Sequence, residues 1–318
     1  MFRNLSTQKL LLFLVILLAV VGGTYFFDQK NGESTFRTEL VSVDSSLVTE
    51  VLLYPKAEEH REIRLSKNGL NWFVDLGKSK VSADSAAVNR LLQDLLHLKP
   101  QRLAGTEKAV WKDFQVDDSA GTKIKINGEK NNLASFVIGK FSYNQQTRGG
   151  ISYVRLENES DVYAVDGFLP MMVNQKADVW RNKNLVNSKV ENFTRLIFQY
   201  PADSGFVLSK QGEKWLLNGS PSDSLKTSQF LSGLANLNGS GFVNDFNSTG
   251  KTPLFSLKIE GNNQTNPITL NAFSADSVNR FAISTDVNQG VFFSGTTGSL
   301  FQRIFISSSG FIPAAVIK

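Results

Sequence analysis

Leu65-Ser66-Lys67-Asn68-Gly69-Leu70-Asn71-Trp72-Phe73 returns in the second half of the chain as Leu208-Ser209-Lys210-Gln211-Gly212-Glu213-Lys214-Trp215-Leu216. Leu-Ser-Lys, a glycine and a tryptophan keep their spacing, so one local structure is written twice. In each copy the glycine offers a turn between two short runs that suit paired strands. The upstream flanks agree as well: Val48-Thr49-Glu50-Val51-Leu52-Leu53-Tyr54-Pro55 resembles Phe193-Thr194-Arg195-Leu196-Ile197-Phe198-Gln199-Tyr200-Pro201.

Downstream of each tryptophan the apolar period changes. Val88, Leu91, Leu92, Leu95 and Leu96 fall at i, i+3, i+4, i+7 and i+8, one face of a helix. Ser82 or Asp84 can cap it and Pro100 ends it. The second copy offers Asp223 or Ser222 as cap and Leu231, Leu234 and Leu237 as stripe, weakened by Gly233 and by residues 236–239. The remainder of each copy reads as strands. Lys123-Ile124-Lys125-Ile126-Asn127-Gly128 alternates with period two and corresponds to Leu257-Lys258-Ile259-Glu260-Gly261. Further strands are expected at 136–138, 151–156 and 162–165, matched by 268–273, 280–284 and 291–293. Apolar stretches at 168–179 and 300–306 are read as helical. Strands do not alternate one-for-one with helices, which argues against a doubly wound parallel sheet. The expected class is α+β: an internal duplication of an antiparallel-sheet-plus-helix unit, preceded by one N-terminal transmembrane helix.

That helix is expected because Leu10 to Phe27 carries no charge. At about 1.5 Å per residue, a run of roughly 18 apolar residues can cross a hydrocarbon core of about 30 Å. Arg3 and Lys9 lie before it, so the N-terminus is expected in the cytoplasm and the body outside. Tyr25, Phe26 and Phe27 suit a membrane–water interface, and no Ala-x-Ala site follows, which favours an uncleaved anchor. The expected organisation is a cytoplasmic N-terminus (1–9), an anchor (10–27), a stalk (28–46) and α+β repeats at 47–185 and 186–318. The implied location is a bacterial inner membrane, single-pass, with the body in the periplasm.

Leaving out Arg3 and Lys9, 32 of the 34 basic residues face 29 acidic ones, and the basic residues are scattered. Such a balance does not point to nucleic acid. With no cysteine among 318 residues, no disulfide framework is possible and the fold rests on its core, for which 24 phenylalanines supply material.

No polar constellation stands out as a site. His60 sits in Glu58-Glu59-His60-Arg61 and His97 beside the leucine stripe; neither has the partner spacing of a zinc site. Thr249-Gly250-Lys251-Thr252 resembles the end of a P-loop, but Asp245 stands where that loop needs glycine. Ser248-x-x-Lys251 lacks the accompanying Ser-Asp-Asn and Lys-Thr-Gly elements. Carboxylate pairs at Glu58/Glu59 and Asp117/Asp118 read as turn charges, and Asp161 and Asp166 lack a calcium-loop context. Trp72 and Trp215 could stack on a ligand, yet their recurrence at one place favours a core role. No catalytic, cofactor-binding or metal-binding residue is assigned, and neither cofactor nor nucleotide is expected.

Val-Thr-Glu-Val-Leu-Leu, Leu-Ser-Lys-x-Gly-x-x-Trp, the Ser82-Ala83-Asp84 start of the leucine helix and the second copy of the unit carry a resemblance. The chain resembles domain-of-unknown-function family forty-three-forty from Lys9 onward. It departs where Trp111-Lys112-Asp113-Phe114-Gln115-Val116 replaces the family's Gly-Leu-x-x-Pro approach to the next strand. The resemblance implies a bacterial single-anchor envelope protein, often encoded beside ABC-transporter permease and auxiliary subunits of the gliding-motility type. The expected function is a non-enzymatic membrane-anchored extracytoplasmic accessory or assembly protein of such a complex, with the inner membrane and permease or auxiliary subunits as partners. The alternative is an extracytoplasmic binding module for an envelope glycan or small ligand.

Overall fold

The computed structural model describes residues 37–313 apart from 78, 146, 147 and 264. Nine strands belong to one antiparallel sheet: β1 (Glu50–Tyr54), β2 (Ile63–Asn68), β3 (Asn71–Asp75), β4 (Lys80–Ser82), β5 (Pro100–Gly105), β6 (Thr122–Asn127), β7 (Asn132–Asn144), β8 (Gly149–Leu156) and β9 (Val162–Asp166). Eight belong to a second: β10 (Phe193–Gln199), β11 (Phe206–Gln211), β12 (Lys214–Leu217), β13 (Ser220–Pro221), β14 (Phe255–Gly261), β15 (Ile268–Ser274), β16 (Phe281–Thr285) and β17 (Phe293–Ser294). Among the described residues the α-helices are α1 (Ser85–Leu96), α2 (Trp111–Phe114), α3 (Leu169–Val173), α4 (Ser224–Ala235) and α5 (Leu300–Ile304).

The α+β expectation is therefore corrected to a mostly β fold of two large antiparallel sheets. Among the described residues only α1 and α4, at 12 residues each, exceed a single turn or so. The reason lies in the cost of starting a helix, which short apolar runs do not recover. In the 168–179 stretch, α3 spans five residues and ends at Asn174, whose backbone leaves the helical region; only a 3-10 turn, Ala177–Trp180, follows. The 300–306 stretch gives the five residues of α5. Pro100–Gly105 adds a strand although a proline heads it, a position where the missing donor is tolerated. The transmembrane helix expected over 10–27, with the 1–9 terminus before it, lies outside the described residues. Among those described, no helix is long and apolar enough to cross a membrane.

The chain divides into two compact units, and the division falls inside α1. The first comprises residues 37–47 and Leu92–Asn174. Its strands run β6-β7-β8-β9-β5. The register of β7 on β8 shifts between Ile138 and Phe141. At this irregularity Gly139 lies against α2, where a Cβ would collide with the Phe114 carbonyl oxygen. Val116, Val137, Tyr153, Val162 and Ala164 form a buried cluster, covered by Trp111 and Phe114. Arg155 is buried at its rim. Its Nε donates to the Val116 carbonyl at 3.1 Å and its guanidinium lies 3.8 Å from the Trp111 ring centre.

The second unit comprises Val48–Leu91 and residues 175–313. Its strands run β4-β3-β2-β1 and β13-β12-β11-β10-β14-β15-β16-β17. The two Leu-Ser-Lys stretches become two hairpins in one register, Lys67 opposite Trp72 and Lys210 opposite Trp215. Gly69 and Gly212 hold the first central turn position at φ +60° and +58°, where other residues would be strained. Asp84 accepts the Ala87 N–H and Asp223 the Lys226 N–H, each at 3.0 Å, so each long helix has an aspartate cap. Beneath the second sheet, Phe198 stacks on Phe206 at 4.2 Å and the Phe230 and Phe311 rings close round them.

Candidate functional site

The residues that gather chemistry line a cleft of about 470 Å³ within the second unit. Its floor is set by backbone pairing. Ala83 and Arg181 form an isolated antiparallel bridge; the Asp84 N–H donates to the Trp180 carbonyl and the Asn182 N–H to the Ser82 carbonyl, both at 2.8 Å. On the opposite wall Phe242 bridges Phe293, and the Val243 N–H donates to the Phe292 carbonyl at 2.9 Å, which presents Asn244. A 3-10 turn, Lys56–Glu58, follows β1 and brings Glu58 and Arg61 to the rim.

Arg181 is the central side chain, 3% exposed. Its guanidinium lies 3.5 Å from the Phe242 ring centre. Nη1 donates to Asp178 Oδ1 at 2.9 Å and to Asn244 Oδ1 at 2.7 Å. Nε is buried without a hydrogen-bond partner, as is the neighbouring Trp180 Nε1. A buried donor left unmade costs about 1–3 kcal/mol, so the cluster is not self-satisfied. Around it Arg61 and Lys176 add positive charge, and Glu58, Asp178 and Asp245 negative charge, so the cleft is balanced. Glu58 accepts from Arg61 Nη2 at 3.1 Å and from the Ala177 N–H at 3.4 Å, which ties the rim to the 177–180 turn. Phe246 and Phe292 supply an apolar wall.

A second feature belongs to the first unit. Phe141 and Tyr143, two apart on β7, are 38% and 58% exposed; Phe168 and Met171, at α3, are 42% and 58% exposed. The Phe141 and Phe168 rings meet edge to face at 5.6 Å, which joins an exposed apolar patch on β7 to the start of α3. Beside it His97, Asp94, Lys99 and Asp166 line a cavity of about 440 Å³ that shares Phe168.

The residues weighed from sequence are dispersed. Trp72 is buried, with Nε1 donating to Asn89 Oδ1 at 3.0 Å, and Trp215 is half-buried against the core; neither lines the Arg181 cleft. His60 stands at positive φ with Nδ1 3.3 Å from the Tyr54 carbonyl oxygen, in a different unit from His97. Asp117 closes its own turn on Ser119, which holds its carboxyl below the usual range, and Lys251 lies over Phe246. Among the described residues no group of three or more His, Cys, Asp or Glu is placed to hold a metal ion. Of the cleft, sequence reading reached Glu58 and Asp245 but neither Arg181 nor Asn244. The signal for Arg181 was an arginine set directly after Val179-Trp180, a charge where an apolar run would be buried.

A family profile described as "Domain of unknown function (DUF4340)" matches residues 72–254, more than half of the chain. The chain belongs to the DUF4340 family. The DUF4340 match includes Trp72, Arg181 and Asn244, and it spans the whole of the exposed patch. No curated protein and no solved structure matches the chain.

Proposed function

We propose that this DUF4340 chain is a non-enzymatic, membrane-anchored extracytoplasmic accessory or assembly protein of an ABC-type transport or gliding-related membrane complex. The observation that carries the reading is the patch of Phe141, Tyr143, Phe168 and Met171. Aromatic residues and methionine are enriched in the buried centres of protein interfaces, and a contiguous exposed group of them marks a docking surface. Tyrosine and phenylalanine bury large areas with only two side-chain torsions to fix, which keeps the ordering cost of association low. The uncharged stretch Leu10 to Phe27 supports attachment to the membrane, and the basic Arg3 and Lys9 support an outward-facing body.

The test is affinity purification of the full-length tagged protein from gently solubilised membranes, with co-purifying proteins identified by mass spectrometry. ABC-type permease or auxiliary subunits are expected with the natural sequence. They should fall about tenfold or more in a Phe141→Ser/Phe168→Ser variant of unchanged melting temperature, the scale of losing two interface anchors. A protein that purifies alone, or a variant that keeps its partners, ends the reading.

A further inference from the structure

We propose that the Arg181 cleft binds the carboxylate of a small polar ligand, on the guanidinium edge formed by Nε and Nη2. The assignment goes beyond the accessory role and rests on a different unit of the molecule. Both hydrogen bonds made by Arg181 use Nη1, one to Asp178 and one to Asn244. Nε is left buried and unpaired. Nη1 is thus pinned, the guanidinium plane is fixed over Phe242, and the edge that remains is the one whose two parallel N–H bonds match a carboxylate. Such an arrangement is preorganised: the side-chain entropy of the arginine is already lost before a ligand arrives.

The surrounding charges select among anions. Glu58, Asp178 and Asp245 stand in the same cleft, so a phosphate dianion would meet three carboxylates. A single negative charge is better balanced, with Lys176 and Arg61 at the rim to share it. Asp245 and Glu58 remain as acceptors for hydroxyl or ammonium groups elsewhere on the ligand, and Phe246 and Phe292 can cover its carbon skeleton. A cleft of about 470 Å³ lies in the range of sites for molecules of roughly monosaccharide or dipeptide size and above. The carboxylate can therefore come from an acidic sugar or from a peptide C-terminus, which share the chemistry and differ in the body attached to it.

The test is isothermal titration of the full chain in detergent with sodium glucuronate and, separately, with alanyl-alanine. Sodium chloride and inorganic phosphate at matched ionic strength serve as comparisons. Saturable binding of one carboxylate is expected, and which one binds identifies the source. Arg181→Lys, which keeps the charge but loses the two-bond edge, should weaken it about tenfold or more. The exposed Lys176→Ala should weaken it about two- to fivefold. If Arg181→Lys does not fold, Asn244→Ala on the exposed wall replaces it, with an expected loss of about threefold. Three outcomes overturn the proposal: neither carboxylate binding, phosphate binding more tightly than both, or affinity unchanged in the variants.

Discussion

Trp72 is held by two kinds of interaction at once: its ring is 1% exposed in the core, while Nε1 reaches Asn89 on the solvent side of α1. Truncating the acceptor isolates the second. Asn89→Ala is expected to lower stability by about 1 kcal/mol, the usual net worth of one hydrogen bond, read as a shift in the urea midpoint at constant slope. The Tyr54–Glu62–Arg64 group makes a second residue-scale prediction. The Tyr54 hydroxyl, bonded at 2.7 Å, holds the Glu62 carboxyl below its ordinary 4.5; partial burial opposes this and the Arg64 guanidinium adds to it. Burial and the bond to Glu62 push the Tyr54 phenol up to about 12, so it stays protonated throughout. A depressed carboxylate contributes stability that is present above pH 4.5 and lost as pH falls through the lowered value. Glu62→Gln should lower stability at neutral pH by a few tenths of a kcal/mol, since the site is partly screened by solvent, and the difference should vanish as pH falls below 4.5, which flattens the acid limb. An acid limb that keeps its full slope in the variant would refute the assignment.

At the scale of elements, the close approach of β7 to α2 is the most demanding contact. Gly139→Ala would drive a methyl group into the Phe114 carbonyl, backbone against backbone, with no side chain able to swing aside. A cost of about 1–3 kcal/mol is expected, with the near-ultraviolet signal of Trp111 altered; a neutral substitution would show that α2 can lift freely. Sequence patterns were informative where the determinants are local. The Gly69 and Gly212 hairpins, the Asp84 and Asp223 caps and the buried Val88-Leu91-Leu92-Leu95-Leu96 face all follow from spacing within a dozen residues. The balance of helix and sheet was not legible, because residues 168–179 and 300–306 are apolar in a way that suits a helix or a packed loop equally. The cleft was hidden for a different reason. Its members come from positions as far apart as Glu58 and Phe292, and no periodicity links a turn after β1 to the loop that carries Asn244. Arg181 acquires its meaning only once Phe242 lies over it.

For the whole molecule, strand position sets an order of local stability. β10 and β14 each have neighbours on both sides in the middle of the eight-stranded sheet, while β13 and β17 are two-residue edges. Amide exchange should be slowest in β10 and β14 and fastest in β13, and the reverse order would contradict the strand arrangement. The second unit is also discontinuous in sequence: Leu92–Asn174 separates its early part from its later one. During synthesis the strands β1 to β4 emerge first, yet the rest of their unit begins only after Asn174. At about 5–20 residues per second, the intervening segment alone imposes a wait of roughly 4–17 seconds. For that time the growing chain carries a half-apolar β-meander whose partners in the later part of its own unit do not yet exist, and pairing over such separations is intrinsically slow. Biogenesis of this protein should therefore depend on a holding chaperone far more than its finished stability would suggest.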